Sequence, residues 1–210
     1  MATTFCDSLD SGAARWHRET MHWTLAHMIL DLTHNSIEAG ASRVEVRIAE
    51  EGSRLRVAII DNGKGMDEAT RKRAIDPFYT EPGKHPSRRV GLGLPFLVQT
   101  VEQTGGTYRL DSKPGVGTEV HFTVDTAHLD CPPLGSIVDL AVMLFCFDGD
   151  YELILHRSRT QGGTSFSGPP TEYTVARSEM QDALGDLADL ESRALLEDYL
   201  QGCESEIPPD

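Results

Sequence analysis

Two alternating segments separated by a single turn constrain this chain most. In "SRVEVRIA", residues 42–49, Val44, Val46 and Ile48 fall on one side of an extended backbone, with Arg43, Glu45 and Arg47 on the other. "RLRVAII", residues 54–60, repeats the pattern through Leu55, Val57 and Ile59. A period of two predicts half-buried strands, and Glu51-Gly52 supplies the turn between them. Ahead of them, Met21, Leu25, Met28, Ile29, Leu32 and Ala39 recur at three- and four-residue spacing, which predicts an amphipathic helix. Behind them, "DEATRKRAI" reads as a short helix and "LPFLVQTVEQT" as a longer one that stops at Gly105-Gly106. "TYRLDS" and "TEVHFTV" then form a hairpin across "KPGVG". The order helix, strand, strand, helices, strand, strand predicts an α+β fold. It is a two-layer α/β sandwich with helices on one face of a mixed or antiparallel sheet, and not an alternating parallel one.

Past about residue 126, "DCPPLG" reads as a linker, dividing 1–125 from a small α/β C-terminal domain at 126–210. The second part is expected to hold a helix near 135–146, a strand "YELILHRS" and a further strand around "YTVA". A capping box, Ser178-x-x-Gln181, is expected to open the next helix, and "ESRALLEDYLQ" to form a last one ending at Gly202.

Composition excludes several functions. The 210 residues carry 33 acids against 19 bases, a net charge of −14. Binding to nucleic acid or anionic membrane rests on clustered Lys and Arg, so neither is expected as a partner. No apolar run approaches the ~20 residues of a membrane span, and no basic-then-apolar leader opens the chain, so the expected location is cytoplasmic. Cys6, Cys131, Cys146 and Cys203 share no paired spacing and read as reduced thiols. His17, His22, His27 and His34 are spaced by five, five and seven, which does not set a metal pair on one helical face.

Three places carry chemistry. In "LTHNSIEAGA" the amide of Asn35 borders the apolar stripe, with Asp31 one turn before it and Glu38 close by. A desolvated amide must be paired, whether by a neighbouring loop or by a ligand. "AIIDNGKGM" sends a buried strand into an acidic, glycine-rich turn. There Asp61 needs a donor, for which the amine of a purine is one candidate, and Gly63 and Gly65 would let a flat ring approach the backbone. A tight turn explains D-x-G-x-G equally well. "RRVGLGLPFL" opens a helix behind a second glycine loop. Gly91 and Gly93 leave N–H groups free for an anion, and Lys84, Arg88 and Arg89 form a basic cluster just before it.

"DLTHNSIEAGA", "DNGKGM", "DPFYT", "VGLGL" and "GGTYRLDSKPGVGTEVHFTV" occur in the order found in the Bergerat-fold (GHKL) ATPases. These include DNA gyrase, the heat-shock chaperone of that class, the mismatch-repair protein MutL and sensor histidine kinases. Over roughly residues 20–125 the chain resembles this family. The resemblance implies ATP and Mg²⁺ as cofactors, with Asn35 as the metal ligand bridging the ion to the phosphates. It implies that Asp61 binds the adenine amine, supported by Thr118 through water, and that Gly63, Gly65 and Met66 line the base. Gly91, Leu92 and Gly93 would meet the phosphates beneath a lid spanning about 79–90.

"HNSIEAGAS" is most similar to MutL, whereas "DPFYT", "VGLGL" and "SKPGVGT" are similar to histidine kinases. The kinases often carry a Lys where Glu38 stands, which leaves Lys84, Arg88 or Arg89 to contact phosphate. Hydrolytic members place a Glu four residues before the Asn. Asp31 stands there, one methylene shorter, as a candidate general base for slow hydrolysis. The kinases also carry a phospho-accepting helical hairpin ahead of this domain. With roughly 20 residues ahead of the first helix, no such hairpin is expected, and His17 in "WHRET", one short step from that helix, is not expected to be phosphorylated in that manner. Three functions follow as expectations: a stand-alone slow ATPase or a kinase acting on a protein partner in trans; a nucleotide-gated interaction module using the C-terminal domain in signal transduction; and an anti-sigma-type serine kinase.

Overall fold

The computed structural model describes residues 23–76, 93–160 and 171–207. In chain order the elements are α1 (Leu25–Glu38), β1 (Arg43–Glu51), β2 (Arg54–Asp61), α2 (Glu68–Ala74), α3 (Gly93–Gln103), β3 (Thr107–Lys113) and β4 (Gly117–Asp125). They continue with α4 (Ile137–Phe145), β5 (Glu152–Thr160), β6 (Thr171–Ala176), α5 (Arg177–Leu184) and α6 (Leu190–Ser205). The strands form one mixed sheet in the order β3-β4-β2-β1-β5-β6. Its neighbours run antiparallel except β1 and β5, which pair in parallel from Arg43↔Glu152 to Glu51↔Thr160.

Alternation along the strands decides what each face does. Val44, Val46 and Ile48 of β1 and Leu55, Val57 and Ile59 of β2 are buried, together with Phe122 of β4 and Leu153 and Leu155 of β5. Leu25, Met28, Ile29 and Leu32 of α1, Leu97 and Val101 of α3, and Leu140 and Leu144 of α4 close over them. The expected α+β sandwich is therefore present, with an apolar core between sheet and helices. The same period of two brings Asp61, the next odd residue after Leu55, Val57 and Ile59, to the helix-covered face. Register sets Thr118 of β4 opposite Asp61 and Ser112 of β3 opposite Thr118, so a polar row ends the apolar one.

The chain beyond residue 126 adds β5 and β6 to this same sheet and α4 to the same helical layer. The linker is docked as well. The N–H groups of Leu25 and Ala26, at the open end of α1, donate to the carbonyls of Pro133 (2.9 Å) and Leu134 (2.8 Å). The next N–H, of His27, donates to Thr24 Oγ1 at 3.2 Å, so the start of the helix is satisfied. Gly135 lies against that turn with φ of +84°; a Cβ there would come within 2.7 Å of Thr24 Oγ1.

Two helix boundaries differ from expectation. Ser178 is inside α5, whose N-cap is Ala176 with no side-chain cap. The Ser178 N–H instead donates to Glu152 Oε1 at 3.3 Å, so a neighbouring strand does the work expected of the capping box. Helix α6 passes through Gly202 and runs to Ser205. Its last turn is anchored: Glu204 Oε1 accepts from the Tyr173 hydroxyl (2.7 Å) and from Arg157 Nε (3.2 Å), and Ile207 is buried beyond it. Tertiary contacts of this kind override the weak tendency of glycine to end a helix. Arg157 is only 1% exposed; it is paired with Glu50 of β1, which also holds Arg159 at 2.8 Å. Burial, then the Glu204 carboxylate, push the Tyr173 hydroxyl far above the ordinary tyrosine range.

Glycines let backbone approach backbone where β2 leaves the sheet. Gly117 (φ +136°) is the tightest, since a Cβ would stand 1.9 Å from the Asp61 carbonyl oxygen. Gly117→Ala is expected to lower stability by about 3 kcal/mol or more, combining a disfavoured backbone with an overpacked contact. Urea unfolding checks this; a variant within about 0.5 kcal/mol of the parent, the ordinary surface range, would refute it.

Candidate nucleotide site

Asp61 is the centre of the polar row. Its Oδ1 accepts from the N–H of Gly63 (2.8 Å) and the N–H of Thr118 (3.1 Å). Its Oδ2 accepts from the hydroxyl of Ser36 on α1 at 2.6 Å. Three elements thus converge on one half-buried carboxylate: the turn after β2, the start of β4 and the last turn of α1. A second hydroxyl group stands alongside. Ser112 Oγ accepts from the Met66 N–H (2.8 Å), lies 3.1 Å from the Gly117 carbonyl and shares a hydrogen bond with Thr118 Oγ1 at 2.9 Å. Asp61, Thr118 and Met66 are therefore brought together, as the sequence suggested.

Ser36 and Ser112 were not singled out from sequence. The signal for Ser36 was present. Leu25, Ile29, Leu32 and Ser36 continue one stripe, so the hydroxyl falls on the core face and must find a partner. Ser36 is buried, whereas Asn35 is half-buried at the margin.

At Gly63, Gly65 and Gly93, neighbouring protein lies where a Cβ would stand. The space beside Gly63 is filled by Asp61 Oδ1 (3.1 Å from a would-be Cβ) and by Ala39 (3.2 Å). Beside Gly65 (φ +63°) a Cβ would stand 2.0 Å from the carbonyl oxygen of Lys113. Both vacancies belong to the protein's own packing, holding the turn against α1 and the β3–β4 hairpin. Gly93 acts similarly at the start of α3. A Cβ there would be 3.2 Å from Asp31 Cβ and 3.3 Å from Leu32 Cδ2, so the glycine lets α3 open directly against α1.

Asn35 follows Asp31 by one turn and so lies on the same side of α1, where the start of α3 packs beside Asp31. Among the described residues, none forms a hydrogen bond with the Asn35 side chain, while its backbone carbonyl caps the helix by accepting from Ala39 N–H at 2.9 Å. Glu38 turns toward His34 (3.9 Å), whose ring packs on Phe147 of the α4–β5 loop at 4.0 Å. Phe147 is itself fixed: its carbonyl accepts from Arg177 (3.3 Å) and from the Tyr151 hydroxyl (3.3 Å). Burial pushes that hydroxyl up to about 12. Lys84, Arg88, Arg89, Gly91 and Leu92, the expected lid at 79–90, and His17 lie outside the described residues.

Residues 23–128 match the family described as histidine kinase-, DNA gyrase B- and HSP90-like ATPase. The chain is 32% identical to the sensor histidine kinase AruS of Pseudomonas aeruginosa over 66% of its length, which is 14% of that kinase. It is 44% identical to the DNA mismatch repair protein MutL of Chlorobium phaeobacteroides over 26% of its length and 9% of MutL. Among solved structures, the catalytic domain of histidine kinase ThkA aligns at 19% identity, covering 48% of this chain and 64% of that one, with a TM-score of 0.38. The chain thus spans a minor part of the curated relatives it matches. No helix among the described residues is long and apolar enough to cross a membrane. A carboxylate on the helix-covered end of β2, an Asn-bearing α1 above it and a match through residues 23–128 establish that the chain belongs to the histidine kinase-, DNA gyrase B- and HSP90-like ATPases, an ATP-binding family.

Proposed function

We propose that this is a Mg²⁺-dependent ATP-binding protein that works either as a slow ATPase or as a kinase on a partner protein in trans. The observation that carries it is the convergence of Ser36, Gly63 and Thr118 on Asp61, which presents a fixed acceptor at the base end of α1. Asn35 and Asp31 lie successively further along the same helix, at the phosphate end. Mg²⁺ takes oxygen ligands, keeps part of its water shell and shares phosphate oxygens. The carbonyl oxygen of the Asn35 amide suits that donor set. When bound, the ion would neutralise phosphate charge; the protein's share is to orient the nucleotide and, through Asp31, to accept a proton from water. Lys84, Arg88, Arg89, Gly91, Leu92 and Gly93 complete the proposed phosphate contacts, with Gly63, Gly65 and Met66 around the base.

The deciding experiment is incubation with γ-labelled ATP and Mg²⁺, alone and with cell extract, following label into free phosphate, this chain or another protein. Asp31 decides the hydrolytic branch. Its carboxylate is one C–C bond, about 1.5 Å, shorter than glutamate in reach. A displacement of that order costs roughly 10²-fold in a positioned reaction. Asp31→Glu should raise phosphate release, and Asp31→Asn should lower it at little change in ATP affinity. Turnover indifferent to both would remove Asp31 as the base and favour transfer to a partner.

One observation favours a nucleotide-gated interaction module as a second reading. The residue beside Asn35, His34, touches Phe147 in the segment beyond 126. The helix closing that segment exposes Leu190, Leu195 and Tyr199 among carboxylates. That surface is where a protein partner would be engaged.

A further inference from the structure

Resting on the adenine reading of Asp61, we infer that Ser36 is the residue that sets base specificity, acting through the Asp61 carboxylate. A carboxylate offers about four lone-pair positions. Two on Oδ1 are filled by the N–H groups of Gly63 and Thr118, at 2.8 and 3.1 Å. One on Oδ2 is filled by the Ser36 hydroxyl at 2.6 Å, a charge-assisted length. A single acceptor position remains, on Oδ2. The alternative acceptor for Ser36, the Leu32 carbonyl, is 3.5 Å away, so the hydroxyl donates to Asp61 in preference.

The backbone donors hold Oδ1, and with it the plane of the carboxylate, but leave both lone pairs of Oδ2 open, a freedom of direction for whatever donates there. The hydroxyl group of Ser36, buried on the rigid face of α1, removes that freedom. One fixed lone pair matches one N–H of a 6-amino purine. It opposes the lone pairs of a 6-oxo purine, and it gains nothing from a purine without a 6-substituent. Ser36 is thus a positioning residue, one position along α1 from the proposed metal ligand.

The test titrates the full chain with Mg²⁺ and ATP, inosine triphosphate or purine riboside triphosphate, which lacks the 6-substituent, and follows thermal unfolding alongside. The parent should prefer ATP to both analogues. Ser36→Ala should lose about tenfold of its preference for ATP over purine riboside triphosphate, as expected for one hydrogen bond to a charged group. Its affinity for purine riboside triphosphate should stay within about twofold, because the phosphate contacts are untouched. If Ser36→Ala does not fold, Ser36→Cys, with a similar volume and a weaker donor, is read by the same ratio and should fall between. Equal weakening toward all three nucleotides, or an unchanged ratio in the variant that folds, overturns the inference and leaves Ser36 a packing residue. A parent chain with no preference for ATP over purine riboside triphosphate overturns instead the adenine reading of Asp61.

Discussion

Asp61→Asn should cost at least about 100-fold in ATP affinity, or roughly 2.8 kcal/mol at 1.4 kcal/mol per decade. A carboxamide accepts through one oxygen only, and its NH2 must take the place of Oδ1 or Oδ2. At Oδ1 it would confront the N–H groups of Gly63 and Thr118; at Oδ2 it would confront the Ser36 hydroxyl and the incoming amine. Either orientation leaves a buried donor unsatisfied, at about 1–3 kcal/mol for each group. Calorimetric titration with ATP and Mg²⁺ measures the loss. Equal affinity of the parent for ATP and GTP would remove the adenine assignment altogether, since a site built around an acceptor rejects a 6-oxo group strongly.

Ending the chain at residue 126 should abolish cooperative folding. We expect residues 1–126 to show no sharp thermal transition and no nucleotide binding. Such a truncation uncovers the whole β5 side of β1 and removes Leu140, Leu144, Phe145, Leu153 and Leu155 from the core. Each buried side chain of that size is worth about 1.5–3 kcal/mol relative to water exposure. A typical domain has only 5–15 kcal/mol in total. The truncation also strips the two carbonyls that cap α1, the helix on which Asp31, Asn35 and Ser36 are carried. A truncated chain that melts as sharply as the parent would show instead that residues 126–210 form a separate domain.

What sequence conveyed followed the range of the interaction that sets it. Helix α1, the β1–β2 pair and the β3–β4 hairpin are governed by local periodicity and turn residues, and all were legible. The parallel pairing of β5 with β1 has no local signature, because nothing in "YELILHRS" names its partner. The capping box at Ser178 and the stop at Gly202 failed for a related reason, since Glu152, Arg157 and Tyr173 reach those helices from other elements. At the site, Asp61 and Asn35 stood out as polar groups at the edge of apolar patterns, and the resemblance supplied their roles. Ser36 did not, although the stripe pointed it inward, because a serine beside a charged motif has many ordinary explanations. The glycines illustrate the converse. Their presence was plain, yet whether a ligand or the Lys113 backbone fills the space beside Gly65 is a fact of tertiary structure.

The parallel alignment of β1 with β5 also bears on the birth of the chain. The two strands are about 110 positions apart, and contacts of such separation form late because the intervening loop must close first. At ~5–20 residues per second, a ribosome releases β1 on the order of ten seconds before β5. Throughout that interval one edge of β1, flanked by Val44, Val46 and Ile48, presents unpaired amides and carbonyls to any neighbouring nascent strand. The protein should therefore depend on holding chaperones during synthesis more than a domain with only neighbouring-strand contacts would, and overexpression should drive it into inclusion bodies as the concentration of unfinished chains rises.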